Sequence, residues 1–133
     1  MLVVDSGVWI DFFNGRPGAA RDALRAVLTH GEVRVVVPDL VLFEVLRGFR
    51  LERDLRQAQR LMEAFTIEDS TSRELTLAAV AHYRALRSAG ITVRSAIDVL
   101  VASFCIERGY ALLHADRDYV AFEARRGLKS WRH

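Results

Sequence analysis

Short, unbroken apolar runs alternate along this chain with longer stretches in which apolar residues recur every three or four positions. "MLVVD" is apolar up to Asp5 and predicts a buried strand, and "VRVVV" (33–37), "TIE" (66–68) and "YALL" predict three more. "TIE" is the shortest of these, and "LKSW" near the end would add a fifth, edge strand. Between them, Ala20, Leu24, Val27 and Leu28 mark an amphipathic helix stopped at Gly31. Pro38 and Asp39 open a second through "LVLFEVLRGFR", and Leu51, Leu55, Ala58, Met62 and Phe65 trace a third. Thr71 and Glu74 have capping-box spacing before a helix through Leu75, Ala79, Tyr83 and Leu86 that ends near Gly90. Ser95 and Asp98 repeat that spacing before "AIDVLVASFCIERG", stopped at Gly109, and a short helix follows from about Arg117.

Strands alternating with helices form βαβ units, hence a mainly parallel sheet of four to five strands covered on both faces. No repeat, linker or low-complexity tract interrupts the pattern, so residues 1–133 are expected to form a single α/β domain.

Composition changes this picture little. A hydrophobic fraction of 51% with 27% charged residues excludes disorder, and no apolar run approaches the roughly 20 residues that span a bilayer. Asp5 follows the four apolar residues "MLVV" with no basic segment before it, which is unlike a signal peptide. The lone Cys105 excludes an internal disulfide, suits a reducing cytoplasm, and reads as an inert buried thiol. Net charge is only +2, yet 18 of the 19 basic residues are arginine, whose planar fork matches phosphate oxygens in pairs. Codon bias would give the same count.

Four acids stand where acids are costly. Asp5 ends the first strand, Glu44 interrupts "LVLFEVL", Asp98 interrupts "AIDVLVASF", and Asp116 follows "YALL". Each has an ordinary explanation taken alone. Asp5 would cap a helix starting near Gly7, Glu44 would pair with Arg47 one turn on, Asp98 would cap with Ser95, and Asp116 would make a turn. Taken together, Asp5 and Asp116 occupy strand carboxyl ends, where parallel sheets bind ligands. Convergence of all four would cost about 4 kcal/mol per close pair at ~4 Å and an effective dielectric of ~20. Only protons or a cation relieve such a cluster, and all-oxygen ligands select Mg²⁺ or Mn²⁺ over zinc. The four histidines form no spaced pair, and His114, nearest the acids, is expected to hydrogen-bond locally. There is no glycine-rich phosphate loop and no nucleophile elbow.

"MLVVDSGVWIDFF", "FEVLRG", "TVRSAIDVLVAS" and "LLHADRDYVAF", in this order over essentially the whole chain, resemble the PIN-domain family, and within it the VapC-type toxins of bacterial toxin–antitoxin pairs. The resemblance implies a three-layer α/β/α sandwich and a metal-dependent endoribonuclease cleaving RNA. It implies a catalytic quartet of Asp5, Glu44, Asp98 and Asp116. Asp5, Asp98 and Asp116 would hold Mg²⁺ (or Mn²⁺), Glu44 would act directly or through water, and Asp118 is the frequent fifth acid. It also implies a cognate antitoxin whose tail occupies the active-site groove, and a homodimer, in the cytoplasm and away from membranes. The apolar region "FEVLRGFRLERDL" is a plausible contact surface. Ser6 matches the hydroxyl residue that usually follows the first aspartate. Gly7 departs from the usual serine or asparagine, and His114 from the usual threonine, which bears on site hydration and substrate fit.

Arg47, Arg50, Arg94 and Arg117 adjoin the acid motifs and are candidate RNA contacts, as is Ser6; solvated arginine or a salt bridge is the ordinary alternative for each. Arg50, Arg53, Arg56 and Arg60, interleaved with Glu52 and Asp54, read as a solvated face. Trp9 and Phe12 would stack bases or, more ordinarily, fill the core. Two rival readings are a non-catalytic module binding a basic partner and a receiver-like phospho-acceptor using Asp5, Asp69 and Lys129. The receiver reading leaves Glu44 and Asp98 unexplained.

Overall fold

Residues Met1–His133 are described by a computed structural model. The two most apolar short runs become the inner strands β1 (Leu2–Val4) and β2 (Val35–Pro38), wholly buried because helices cover both of their faces. β3 (Thr66–Glu68) lies outside β2, β4 (Ala111–Leu113) lies on the other side of β1, and β5 (Lys129–Ser130) forms the far edge. All pairings are parallel, in the order β3-β2-β1-β4-β5. The chain thus builds one way from β1 to β3, then returns to β1's other side, and the sheet's switch point falls between β1 and β4.

Seven helices flank the sheet: α1 (Ser6–Asn14), α2 (Ala19–His30), α3 (Asp39–Leu46), α4 (Glu52–Glu63), α5 (Arg73–Ser88), α6 (Ala96–Arg108) and α7 (Asp118–Arg125). Gly31 and Gly109 stop α2 and α6 in the left-handed region, at φ 69° and 72°. α3 is shorter than its apolar pattern predicts; it ends at Leu46, with the chain turning through Arg47 and Gly48. α5 corrects its expected cap by one residue. Ser72, not Thr71, accepts the Leu75 amide at 3.0 Å, which puts Glu74 one position too early to reach back as a capping box requires.

α6 is buried along most of its circumference, as a sequence apolar on nearly every side predicts, and Cys105 within it is inaccessible. Trp9 is 0% exposed and packs among Phe12, Phe13 and Phe65, so it belongs to the core and offers no stacking surface to a base. The Arg53 and Arg56 side chains are exposed on α4 beside Asp54 and Glu52, at 3.9 and 3.3 Å, as a solvated face should be. No helix is long and apolar enough to cross a membrane.

Candidate metal centre and catalytic cleft

The first helix starts immediately after β1, which leaves Asp5 at the strand's carboxyl end with only 7% of its surface exposed. Asp5 stands at the N-cap position of α1, yet its side chain caps nothing. Its Oδ1 instead accepts the hydroxyl of Tyr119 at 2.8 Å. The same hydroxyl lies 3.2 Å from Oδ1 of Asp98, in the first turn of α6. Ser95 does cap that helix, accepting the Asp98 amide at 3.3 Å, and so sets the turn from which the Asp98 carboxylate projects.

Asp116 makes the turn that its sequence reading allows. One carboxylate oxygen accepts the Asp118 amide at 2.9 Å, closing the turn into α7. The carboxylate still faces its neighbours: oxygens of Asp98, Asp116 and Asp118 lie within 4.8 Å of one another. Asp118, expected as an accessory acid, is therefore one of three carboxylates brought together here. Asp5 joins that triplet through Tyr119. Glu44 approaches from α3, where Ser6 Oγ donates to its Oε1 at 2.9 Å and Arg47 stands 3.9 Å from its Oε2. His114 hydrogen-bonds locally as expected. Its Nδ1 accepts the Asp116 amide at 3.2 Å, and its Nε2 meets Glu123.

The carboxylates are under electrostatic strain. Burial, above all, raises the Asp5 pKa against the lowering effect of the Tyr119 hydrogen bond, with Glu44 adding repulsion. Burial followed by the nearby Asp5 charge pushes Asp98 up to about 6, with Asp116 and Glu44 adding to the rise. Burial, with the charges of Asp5 and Asp98, holds the Tyr119 phenol well above its ordinary range, so it remains a donor. A divalent cation relieves this repulsion directly, and the donor set fits one: it is entirely oxygen, with Asp98 brought beside Asp116 and Asp118, and Asp5, Asp116 and Asp118 lining a cleft. The cleft measures about 640 Å³ and is walled by Asp5, Gly7, Asp11, Arg16, Asp116, Arg117 and Asp118, among others.

The family profile of the PIN domain matches residues 2–125. The chain belongs to the PIN-domain family. Over 122 residues this PIN domain is 28% identical to a VapC ribonuclease of Mycobacterium bovis and to ribonuclease VapC11 of Mycobacterium tuberculosis. Each alignment covers 90% of this chain and 89% of the relative. Among solved structures, VapBC2 of Rickettsia felis bound to a DNA fragment from its promoter matches with a TM-score of 0.76 at 16% identity, covering 98% of this chain and 96% of that one. A toxin–antitoxin complex from Klebsiella pneumoniae matches with a TM-score of 0.71 at 18% identity, covering 98% and 97%. These likenesses agree with the fold: a five-stranded parallel sheet between helical layers.

Of the basic residues expected beside the acids of this PIN domain, Arg117 lines the cleft and Arg47 flanks Glu44 while lying over the Phe43 ring. Arg94 lines an apolar groove between α5 and α6. Asp69 and Lys129, needed by a receiver-like site, are absent from the cleft wall. Sequence reasoning missed three contributors. Arg16 and Asp11 reach the cleft from the end of α1 and the loop after it, which no local pattern announces. Tyr119 was hidden as an ordinary core position of a short helix; its one signal was a hydroxyl-bearing aromatic three residues after Asp116.

Proposed function

We propose that this PIN domain is a metal-dependent endoribonuclease acting in the cytoplasm as the toxin of a toxin–antitoxin pair. The observation that carries this reading is the convergence of Asp98, Asp116 and Asp118, with Asp5 tied to them through Tyr119, at the sheet's switch point. The names of the VapC relatives and the toxin–antitoxin assemblies of similar fold support it. Asp5, Asp98, Asp116 and Asp118 would hold one Mg²⁺ or Mn²⁺, with Glu44 at the edge of the set. When bound, such an ion lowers the pKa of a water and offsets the charge that builds on a scissile phosphate.

The chain's own groups do the rest. Ser6 orients Glu44, which aligns the attacking water and takes up its proton. Arg117 and Arg16, on the cleft wall, draw the RNA backbone toward carboxylates that would otherwise repel it. Arg47 extends that basic rim beyond Glu44, and Ser6 stands close enough to Glu44 to meet substrate at the same point.

The antitoxin would lay a tail along this cleft and bring a basic side chain to the acids, since a guanidinium satisfies carboxylates much as a cation does. Its apolar seat is the shallow groove of Leu42, Phe43, Leu46 and Leu55 beside Glu44, where Phe43 is 56% exposed. The active form is a homodimer, which light scattering of the purified chain checks directly.

The decisive experiment incubates structured and single-stranded RNA with purified protein and Mn²⁺, with chelator and with Asp98→Asn as controls. Cleavage that needs both the ion and Asp98 is expected. Intact RNA, with no thermal stabilisation by Mn²⁺, would identify a non-catalytic binder of a basic partner.

A further inference from the structure

Tyr119 has 0% solvent exposure, yet its hydroxyl is aimed at two carboxylates, 2.8 Å from Asp5 Oδ1 and 3.2 Å from Asp98 Oδ1. Packing gives no reason for that oxygen. A phenylalanine would fill the same space against the His114 ring, 4.8 Å away, without burying a polar atom. The three groups come from separate elements: Asp5 from the end of β1, Asp98 from the first turn of α6, and Tyr119 from the first turn of α7. That turn also carries Asp118, so one turn supplies an acid of the triplet and the hydroxyl that ties Asp5 to Asp98.

A phenol has one hydrogen, and two acceptors face it here. Each carboxylate meets the hydroxyl through one oxygen, which leaves the second oxygen of each outside this hydrogen bond. On the Asp5 side, that second oxygen lies 3.5 Å from where a side chain at Gly7 would begin, which keeps its approach open.

We infer that Tyr119 is a positioning residue for the cation site: its hydroxyl orients Asp5 and Asp98 so that their outward oxygens face the cleft together with those of Asp116 and Asp118. This deepens the metal-centre reading and rests on it. Groups that hydrogen-bond a metal's ligands commonly contribute on the order of 10- to 100-fold in metal affinity, and the Tyr119 hydroxyl serves two acids at once.

The test is a calorimetric titration of Mn²⁺ into the intact protein and into Tyr119→Phe. The variant should retain a cooperative metal-free melt and bind Mn²⁺ on the order of 10- to 100-fold more weakly. A hydroxyl that merely fills the core would leave this affinity unchanged, so equal or tighter binding by Tyr119→Phe overturns the inference alone. Failure of the unsubstituted protein to bind Mn²⁺ overturns the metal-centre reading and the inference with it. Should Tyr119→Phe not fold, the unsubstituted sequence carries the test through 3-fluorotyrosine. The chain has three tyrosines, so three fluorine resonances are assignable with Tyr83→Phe and Tyr110→Phe. Added Mg²⁺ should shift the Tyr119 resonance; an unmoved Tyr119 signal under saturating ion overturns the inference.

Discussion

The backbone N–H of Asp116 donates to Nδ1 of His114 across 3.2 Å, so this imidazole is an acceptor toward the residue that carries one of the cleft's acids. An acceptor at Nδ1 places the ring proton on Nε2, which points at Glu123. Glu123 on α7 thus orients His114, and His114 holds the backbone from which Asp116 projects. Both ring nitrogens of His114 thus have partners within the protein.

His114→Ala should therefore cost about 2 kcal/mol of stability, through a cavity and an amide left without its acceptor. Glu123→Gln, which can still accept from Nε2, should cost less than about 1 kcal/mol. Urea denaturation of the two variants makes the comparison. Equal losses would mean that a neutral acceptor cannot stand in for the Glu123 carboxylate and that the ring depends on its charge.

Ser6→Ala removes the donor that orients Glu44 and leaves Arg47 as its remaining partner, at 3.9 Å on the surface. Cleavage should fall by about tenfold, while unfolding free energy changes by less than about 1 kcal/mol. Initial rates on a short fluorescent RNA at saturating Mn²⁺ provide the readout. Unchanged rates would remove Ser6 and its hold on Glu44 from the mechanism.

Asp116→Asn separates the two duties of that side chain. An asparagine oxygen still accepts the Asp118 amide, so the turn survives, and the metal-free protein should be at least as stable as the parent once a like charge is gone. Ion binding should suffer instead. A parent protein at 100 times its Kd for Mn²⁺ gains about 2.7 kcal/mol, and thermal melts of the variant should show little of that gain.

The pH dependence of the metal-free fold has a definite sign. Asp98 has an ordinary value of 3.8 and is raised to about 6 when folded, so the folded state binds its proton more tightly than the unfolded state. Stability from this group is present below the ordinary value and declines as pH rises through the window up to about 6. Asp5, also raised, acts in the same direction. Subtracting the pH profile of Asp98→Asn from that of the parent should isolate this downward slope. A flat difference would mean that Asp98 is not strained in the folded protein.

Much of this is legible in the sequence. Runs such as "LVV" and "VVVP" become buried parallel strands because nothing polar interrupts them. Asp5 and Asp116 stand out because each ends such a run. What stayed hidden depends on reach across space. Nothing local shows that the hydroxyl of Tyr119 meets Asp5 from 114 positions away. Nor does sequence show that Arg94, adjacent to an acid motif, faces the α5–α6 groove, while Arg16, near none of them, lines the cleft. The single-residue slip from Thr71 to Ser72 has the same origin: both hydroxyls suit a cap, and only the start of the helix decides between them.

The candidate acids come from β1, α3, α6 and the segment that runs from β4 into α7, which are spread from residue 5 to residue 118 and meet only at the sheet's switch point. No contiguous fragment holds more than a part of the site. A polypeptide still emerging from the ribosome lacks the final turn that bears Asp116, Asp118 and Tyr119, and so has no cleft to load. The site is thereby tied to the order of synthesis: its acids converge only after the segment that bears Asp116, Asp118 and Tyr119 has been made and has docked.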